Sequence, residues 1–301
     1  MGLVERHPAI TVLREQVRQV RHELRLCARS RRWTPRSVHR ARVATRRCRA
    51  ALDVLKSAGD ARRVRSARKP IKRLARALGA VRAIDVSTLL LVHLADASDL
   101  TRLSAPLLRH LRSERRRLAG QLAMVAAHRD VAEALDCAGW LEVARTETHR
   151  PSAVDRRVAV MEMWLQRCRR RPTKAGLHRL RIVTKRLRYV LEVVYRGDAA
   201  AEQRLEPLRR LQEALGALHD CEVARRGVQT FQRDVGRSAA LQQLTRAAAE
   251  RERTLRLDAR VLVRETVERA SALKGLGASV FLNAGAYAHK HSRTHLRSSG
   301  G

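Results

Sequence analysis

The chain has 301 residues, 45% of them hydrophobic, which is enough apolar material for a core in one large or two modest domains and too much for wholesale disorder. Lys and Arg number 64 against 29 Asp and Glu, a formal net charge of +35. Self-repulsion makes that imbalance a cost to folding, so it points away from a neutral or cationic partner and toward a polyanion: nucleic acid, an anionic membrane or a phosphate polymer.

Only seven of the cations are Lys, so most of the charge is carried by the planar Arg fork that grips phosphate oxygens bidentately. A codon bias toward Arg accounts for much of that ratio but not for the charge itself. Aromatic residues make up 3%, which argues against a single-strand binder that stacks bases on rings. The five cysteines, at 27, 48, 137, 168 and 221, form no CxxC pair and read as small reduced core residues. The first residues, "MGLVERHPAITVLREQ", carry no apolar signal core, and no segment approaches 18 apolar residues. The expectation is a soluble, cytoplasmic protein with no membrane partner.

In chain order the periodicity is helical almost throughout. Ile10, Leu13, Val17, Val20 and Leu24 recur at steps of three and four. The turn signal "SRRWTPRS" (30–37) precedes a basic helix, "VHRARVATRRCRAALDVL" (38–55), and "KSAGD" (56–60) ends it. Pro70 falls inside the next helical stretch, 61–79, and is expected to kink or restart it. "ADASD" (95–99), "THRPSA" (148–153), "RRPTKAG" (170–176) and "YRGDAA" (195–200) punctuate the rest, and strand and hairpin signals are absent. The intervals suit helices of roughly 15–30 residues in an antiparallel arrangement with short loops.

The chain then repeats itself. The basic helix recurs as "LHRLRIVTKRLRYVLEVV" (177–194) at an offset of 139, and "LGAVRAIDV" (78–86) recurs as "LGALHDCEV" (215–223) at an offset of 137. Two blocks in the same order at nearly the same offset indicate a tandem duplication of a helical unit. The reading is an all-α chain of two pseudo-symmetric antiparallel helical bundles of about four long helices each. One domain covers 1–265, its halves at about 8–148 and 152–265, with "THRPSA" between them. From 271 to 301 the sequence loses its periodicity and reads as a flexible tail. Its "HKHSRTH" (289–295) has transition-metal ligands, but no functional metal site is assigned to it.

In the second copy, Leu177, Leu180, Thr184, Leu187, Leu191 and Val194 form an apolar stripe. One residue on, about 100° round the helix, run His178, Arg181, Lys185, Arg188 and Glu192. In the first copy Val38, Ala41, Thr45, Cys48, Leu52 and Leu55 face inward beside His39, Arg42, Arg46, Arg49 and Asp53. The flanking Arg40, Arg47, Arg179 and Arg186 lie a further step round and are secondary candidates for anion contact, as are Lys72, Arg73, Arg209 and Arg210 just ahead of the second repeated block. The basic row borders the buried stripe instead of opposing it, so its charges should line a groove or cavity wall. From His178 to Arg188 is about 15 Å at 1.5 Å per residue, a ladder of cations that suits a linear polyanion. Like charges at i,i+4 repel, and an ordinary solvated helix mixes signs at these spacings.

His39 and His178 also suit phosphoryl acceptors, general acids or metal ligands, but no HxxxH, HExxH or carboxylate cluster accompanies them. A His among arginines should have its protonated form disfavoured, while its neutral form still donates one N–H to a phosphate oxygen.

These strings resemble the signatures of the CHAD family, the conserved histidine α-helical domain, over roughly residues 8–265. The pattern His-x-x-Arg-x-x-x-Arg/Lys-Arg-x-Arg, present twice, carries the resemblance together with "LQEALGALHDCEVAR". The resemblance implies two pseudo-symmetric four-helix bundles around a basic cavity that binds inorganic polyphosphate, without catalysis and without cofactor. The positions it marks are His39, Arg42, Arg46, Arg49, His178, Arg181, Lys185 and Arg188. Some members of the family are linked to polyphosphate or polyhydroxyalkanoate granules, an association left open for this chain. The first copy departs from the family pattern in one place: Ala83 stands where an acid is expected, opposite Asp220 in the second copy. If that acid orients an Arg or His, the first wall is held less rigidly. Asp85 lies two residues on but on another face. Nucleic acid bound by the same helices is the alternative reading, and an enzyme acting on phosphate chains a third.

Overall fold

The helix-compatible spacing of apolar residues is realised along nearly all of the chain in a computed structural model, which describes residues 8–30, 32–56, 61–139, 152–199, 203, 205–236 and 238–269. All regular structure among them is α-helical: α1 (Pro8–Ser30), α2 (Pro35–Leu55), α3 (Ala61–Asp96), α4 (Ala105–Ala127), α5 (Arg129–Gly139), α6 (Ser152–Arg170), α7 (Lys174–Val194), α8 (Glu206–Val235) and α9 (Ala239–Glu268). The C-terminal 271–301 with its histidines, and most of the "THRPSA" turn, lie outside the described residues.

The two ladder helices start alike. The Thr34 side chain accepts from the Ser37 N–H and the Thr173 side chain from the Gly176 N–H, each at 3.1 Å. Each satisfies one of the orphan donors at a helix N-terminus, and Thr173 stands at the same 139-residue offset from Thr34 as the ladders themselves. Pro35 at the first turn of α2 gives up an N–H that has no helical acceptor there.

Helix lengths depart from expectation at two places. Pro70 does not end a helix: α3 runs through it for 36 residues. Proline removes the bond its N–H would make to the Ser66 carbonyl and crowds that carbonyl with its ring, but the flanking Ala67, Ile71 and Leu74 are fully buried, so packing keeps the helix going. The short α5, 11 residues, packs against α1, α3 and α4, whereas in the second half α9 packs directly on α6. Helix α3 also contains an 18-residue window of mean hydropathy 1.6, long and apolar enough by length and composition to cross a membrane, contrary to the expectation that no segment approaches this. Within this fold the helix buries 22% of that window. Its Leu78, Val81, Leu91 and Ala95 are buried, and Arg82 and Asp85 interrupt its apolar run.

The helices that carry the repeated sequence blocks pack on each other: α2 on α7, and α3 on α8. Helix α7 serves two cores at once. Its Leu177, Leu180, Leu187 and Leu191 pack with α6, α8 and α9, while Tyr189, Val190 and Val193 pack with α1 and α2. A third apolar cluster joins Leu91 and Ala95 of α3 and Leu107 and Leu111 of α4 to Val228 and Phe231 of α8. Of the five free cysteines, Cys27, Cys48, Cys168 and Cys221 are buried and Cys137 is half-buried.

Candidate polyanion-binding cavity

The inward stripe of α2 is fully buried, as is that of α7 apart from half-buried Val194, which fixes the rotation of both helices about their axes. That rotation turns the adjacent basic rows toward each other where the two helices pack. Between α2, α3, α7 and α8 lies a cavity of about 330 Å³. His39, Arg42 and Arg46 line it from α2, Arg181 from α7, Arg82 and Ala83 from α3, and His219 and Asp220 from α8.

Further along the helices Arg49 and Lys185 continue the two rows. Burial and the surrounding guanidiniums of Arg46, Arg181, Arg42 and Arg49 push the Lys185 ammonium down to about 7. Burial, then Arg46, pushes Arg42 down to about 10, against the opposing pull of Tyr189 and Asp220. The Nε atoms of Arg42 and Arg49 are buried and have no hydrogen-bond acceptor. Arg49 is lowered chiefly by burial, with Asp53 opposing and Arg68, Arg186 and Arg46 adding to the effect. Arg46 Nη1 donates to the Tyr189 hydroxyl at 3.1 Å. On the same ring lies Arg188, its guanidinium carbon 4.9 Å from the centroid.

His39 and His219 line the cavity, whereas His178 is exposed on α7 and is not among the lining residues. His39 is lowered by burial, then by Arg82, Arg42 and Arg46, so it is biased toward the neutral form. The His178 ring is 5.3 Å from the His219 ring, and His219 is pushed down to about 4 by burial, Arg181, His178 and Arg226. Asp220 is raised by burial even though Arg181, Arg42, Arg82 and Arg46 all pull the other way, and its Oδ1 lies 3.9 Å from Arg181 Nη2. One acid thus faces arginines of both copies, and Ala83 leaves the equivalent position on α3 without charge.

Arg188 and the flanking residues have other partners. Arg188 pairs with Glu192 at 3.1 Å and donates to Gln212 at 2.9 Å; Arg47 reaches the same Glu192 at 4.0 Å. Arg40 turns to Glu23 of α1 at 3.7 Å, Arg73 to Asp130 of α5 at 3.0 Å, Arg209 to Glu206 at 3.5 Å and Arg210 to Glu265 of α9 at 3.7 Å. Lys72, Arg179 and Arg186 are exposed on their helices. Asp85 faces away from the cavity: it accepts from Arg115 Nε at 2.6 Å, and the same guanidinium donates to the Trp33 carbonyl just ahead of α2. Its repeat equivalent Glu222 lies 3.7 Å from Lys174, the first residue of α7. Each buried acid therefore ties its helix to the start of a ladder helix.

Two lining residues, Arg82 and His219, carry no mark in the ladder pattern. They are equivalent positions of the second repeated block, 137 residues apart, and a polar residue retained at both was the available signal.

No curated protein matches the chain. Its fold is similar to two solved structures: PptA from Streptomyces chartreusis (TM-score 0.66, 16% identity, covering 88% of this chain and 98% of that one) and the CHAD domain from the plant Ricinus communis (TM-score 0.60, 21% identity, 84% and 90%). The CHAD domain profile matches residues 11–229, which include both ladders and both copies of the second block. With the profile spanning most of the sequence and the helical fold shared with a CHAD domain structure, the chain belongs to the CHAD domain family.

Proposed function

We propose that the cavity between α2, α3, α7 and α8 binds inorganic polyphosphate and does not turn it over. The observation that carries the reading is the crowding of half-buried cations from both ladders, two of which bury an Nε that has no acceptor. Arg42 and Arg49 each bury an unpartnered Nε, and Lys185 sits among four arginines. A buried donor left without an acceptor, and like charges crowded together, both cost stability, and a bound anion relieves both. A linear phosphate polymer offers a charge at every repeat, and Arg binds each through charge-assisted hydrogen bonds.

A cavity of about 330 Å³ is too small for a base-paired duplex, whose major groove alone is about 12 Å wide. The ring nearest the cationic rows, Tyr189, is buried in the core with Arg46 and Arg188 against it, so it is not presented for base stacking. Binding without turnover fits a lining whose single carboxyl group, Asp220, is held among arginines. A cytoplasmic location accompanies the proposal, in keeping with five unpaired cysteines. Association with polyphosphate granules would follow from the same affinity.

The test is a competition. Labelled long-chain polyphosphate bound at moderate salt should resist displacement by equal phosphate equivalents of duplex DNA or RNA. It should also be recovered at its original length after prolonged incubation. Efficient displacement, or shortening of the chain, would overturn the proposal.

A further inference from the structure

Helix α8 does not stop at the cavity. His219, Val223, Arg226, Thr230 and Arg233 follow one another at steps of four, three, four and three, which places them on one continuous face. The first two line the cavity. The last three line a separate open groove of about 1000 Å³ beside the junction of α8 and α9, where Gly236 has φ 87° and turns the chain. From α9 the groove receives Gln242, Thr245 and Arg246. Among the described residues its lining contains three arginines and no carboxylate.

The side chains are arranged for an anion. Arg233 Nη2 donates to the Thr230 hydroxyl at 3.1 Å, which keeps it lying along the groove. Arg226 Nε donates to the Glu222 carbonyl at 3.2 Å, its side chain is exposed, and it is near enough to His219 to act on its charge. Arg73, Arg209 and Arg210, by contrast, each turn to a carboxylate.

We propose that this groove is a second phosphate-binding segment, and that a long polyphosphate chain leaves the cavity past His219 and runs along α8 over Arg226, Arg233 and Arg246. The proposal rests on the reading of the cavity as a polyphosphate site. From His219 to Arg233 the path adds about 21 Å at 1.5 Å per residue. The protein then discriminates by length: a chain short enough to be contained in the cavity never reaches the groove, and a long one engages both.

The experiment compares tripolyphosphate with long-chain polyphosphate on the full chain and on the triple variant Arg226→Gln, Arg233→Gln, Arg246→Gln. For the long chain, affinity should fall by about tenfold or more. The slope of log K against log salt should become shallower by about two, as expected for three lost phosphate contacts on a single strand. Tripolyphosphate binding should be unchanged in both respects, which also reports that the variant is folded. The triple Arg→Lys variant should regain most of the long-chain affinity. Long-chain affinity and slope at the unsubstituted level would overturn the groove and leave the cavity reading standing, as would an equal loss for both ligands. Failure of the unsubstituted protein to bind either phosphate ligand would overturn both.

Discussion

Arg46 of α2 donates through Nη1 to the hydroxyl of Tyr189 on α7, 3.1 Å away and 143 residues distant in sequence. Its guanidinium carbon also lies 5.9 Å from the ring centroid, with Arg188 at 4.9 Å from the same ring. The ring thus accommodates two cations that would otherwise repel, through cation–π attraction as well as the hydrogen bond. It also holds one rung of the first ladder at a fixed distance from the second.

Tyr189→Phe keeps the ring and removes the hydroxyl. Its expected effect is a small loss of stability, about 1 kcal/mol, and a few-fold loss of polyphosphate affinity as Arg46 becomes less fixed. Denaturant titration and equilibrium binding measure the two effects, and unchanged affinity would show that Arg46 needs no help from this ring.

Lys185 predicts a pH dependence. Burial and neighbouring arginines hold its folded pKa at about 7, below the ordinary lysine value of 10.5. Between these values the unfolded chain binds more protons than the free folded protein, so this group makes the free protein more stable as pH rises from 7 toward 10.5. A bound polyanion favours the charged ammonium and reverses the preference. Polyphosphate binding should therefore take up close to one proton at pH 8. Affinity should be highest below pH 7 and fall as pH rises above it. Calorimetry in two buffers of different ionisation enthalpy reads the proton directly. Lys185→Arg should abolish the uptake while preserving affinity.

Ala83 predicts an opposition between stability and binding. Ala83→Asp restores an acid at the position equivalent to Asp220, facing His39, Arg42 and Arg82. The free protein should gain thermal stability, because the added carboxylate offsets like-charge repulsion. Polyphosphate affinity should fall by about tenfold, because the same carboxylate competes for the arginines. A thermal melt and a titration on one preparation check both signs, and a variant that binds more tightly would mean that the acid orients the arginines instead of occupying them.

Much of this arrangement was legible in the sequence because helical periodicity ties the basic row to the buried stripe. Once Val38, Ala41 and Cys48 on α2, and Leu177, Leu180 and Leu187 on α7, are buried, Arg42, Arg46, Arg181 and Lys185 have little choice of direction. The internal repeat supplied the facing wall. Helices α3 and α8 were less legible, because their rotation is set by tertiary packing against α4 and α9 through the Arg115–Asp85 and Arg256–Glu222 pairs. That packing brings Arg82 and His219 into the cavity and leaves Arg73 and Arg210 to Asp130 and Glu265. The run of α3 through Pro70 was hidden for a related reason, since local propensity ends a helix that the buried Ile71 and Leu74 sustain.

Polyphosphate affinity depends on where the cations lie and not on their total, and one comparison isolates this. The double variants Arg42→Gln/Arg181→Gln and Arg73→Gln/Arg210→Gln remove the same charge, the first from the cavity and the second from α3 and α8 positions paired with Asp130 and Glu265. Titrated with long-chain polyphosphate at one moderate salt concentration, the cavity variant should lose about a hundredfold in affinity, as expected for two charge-assisted hydrogen-bonding groups, while the surface variant stays within about twofold. Equal losses in the two variants would contradict the account and reduce the cavity to one part of a uniformly basic surface.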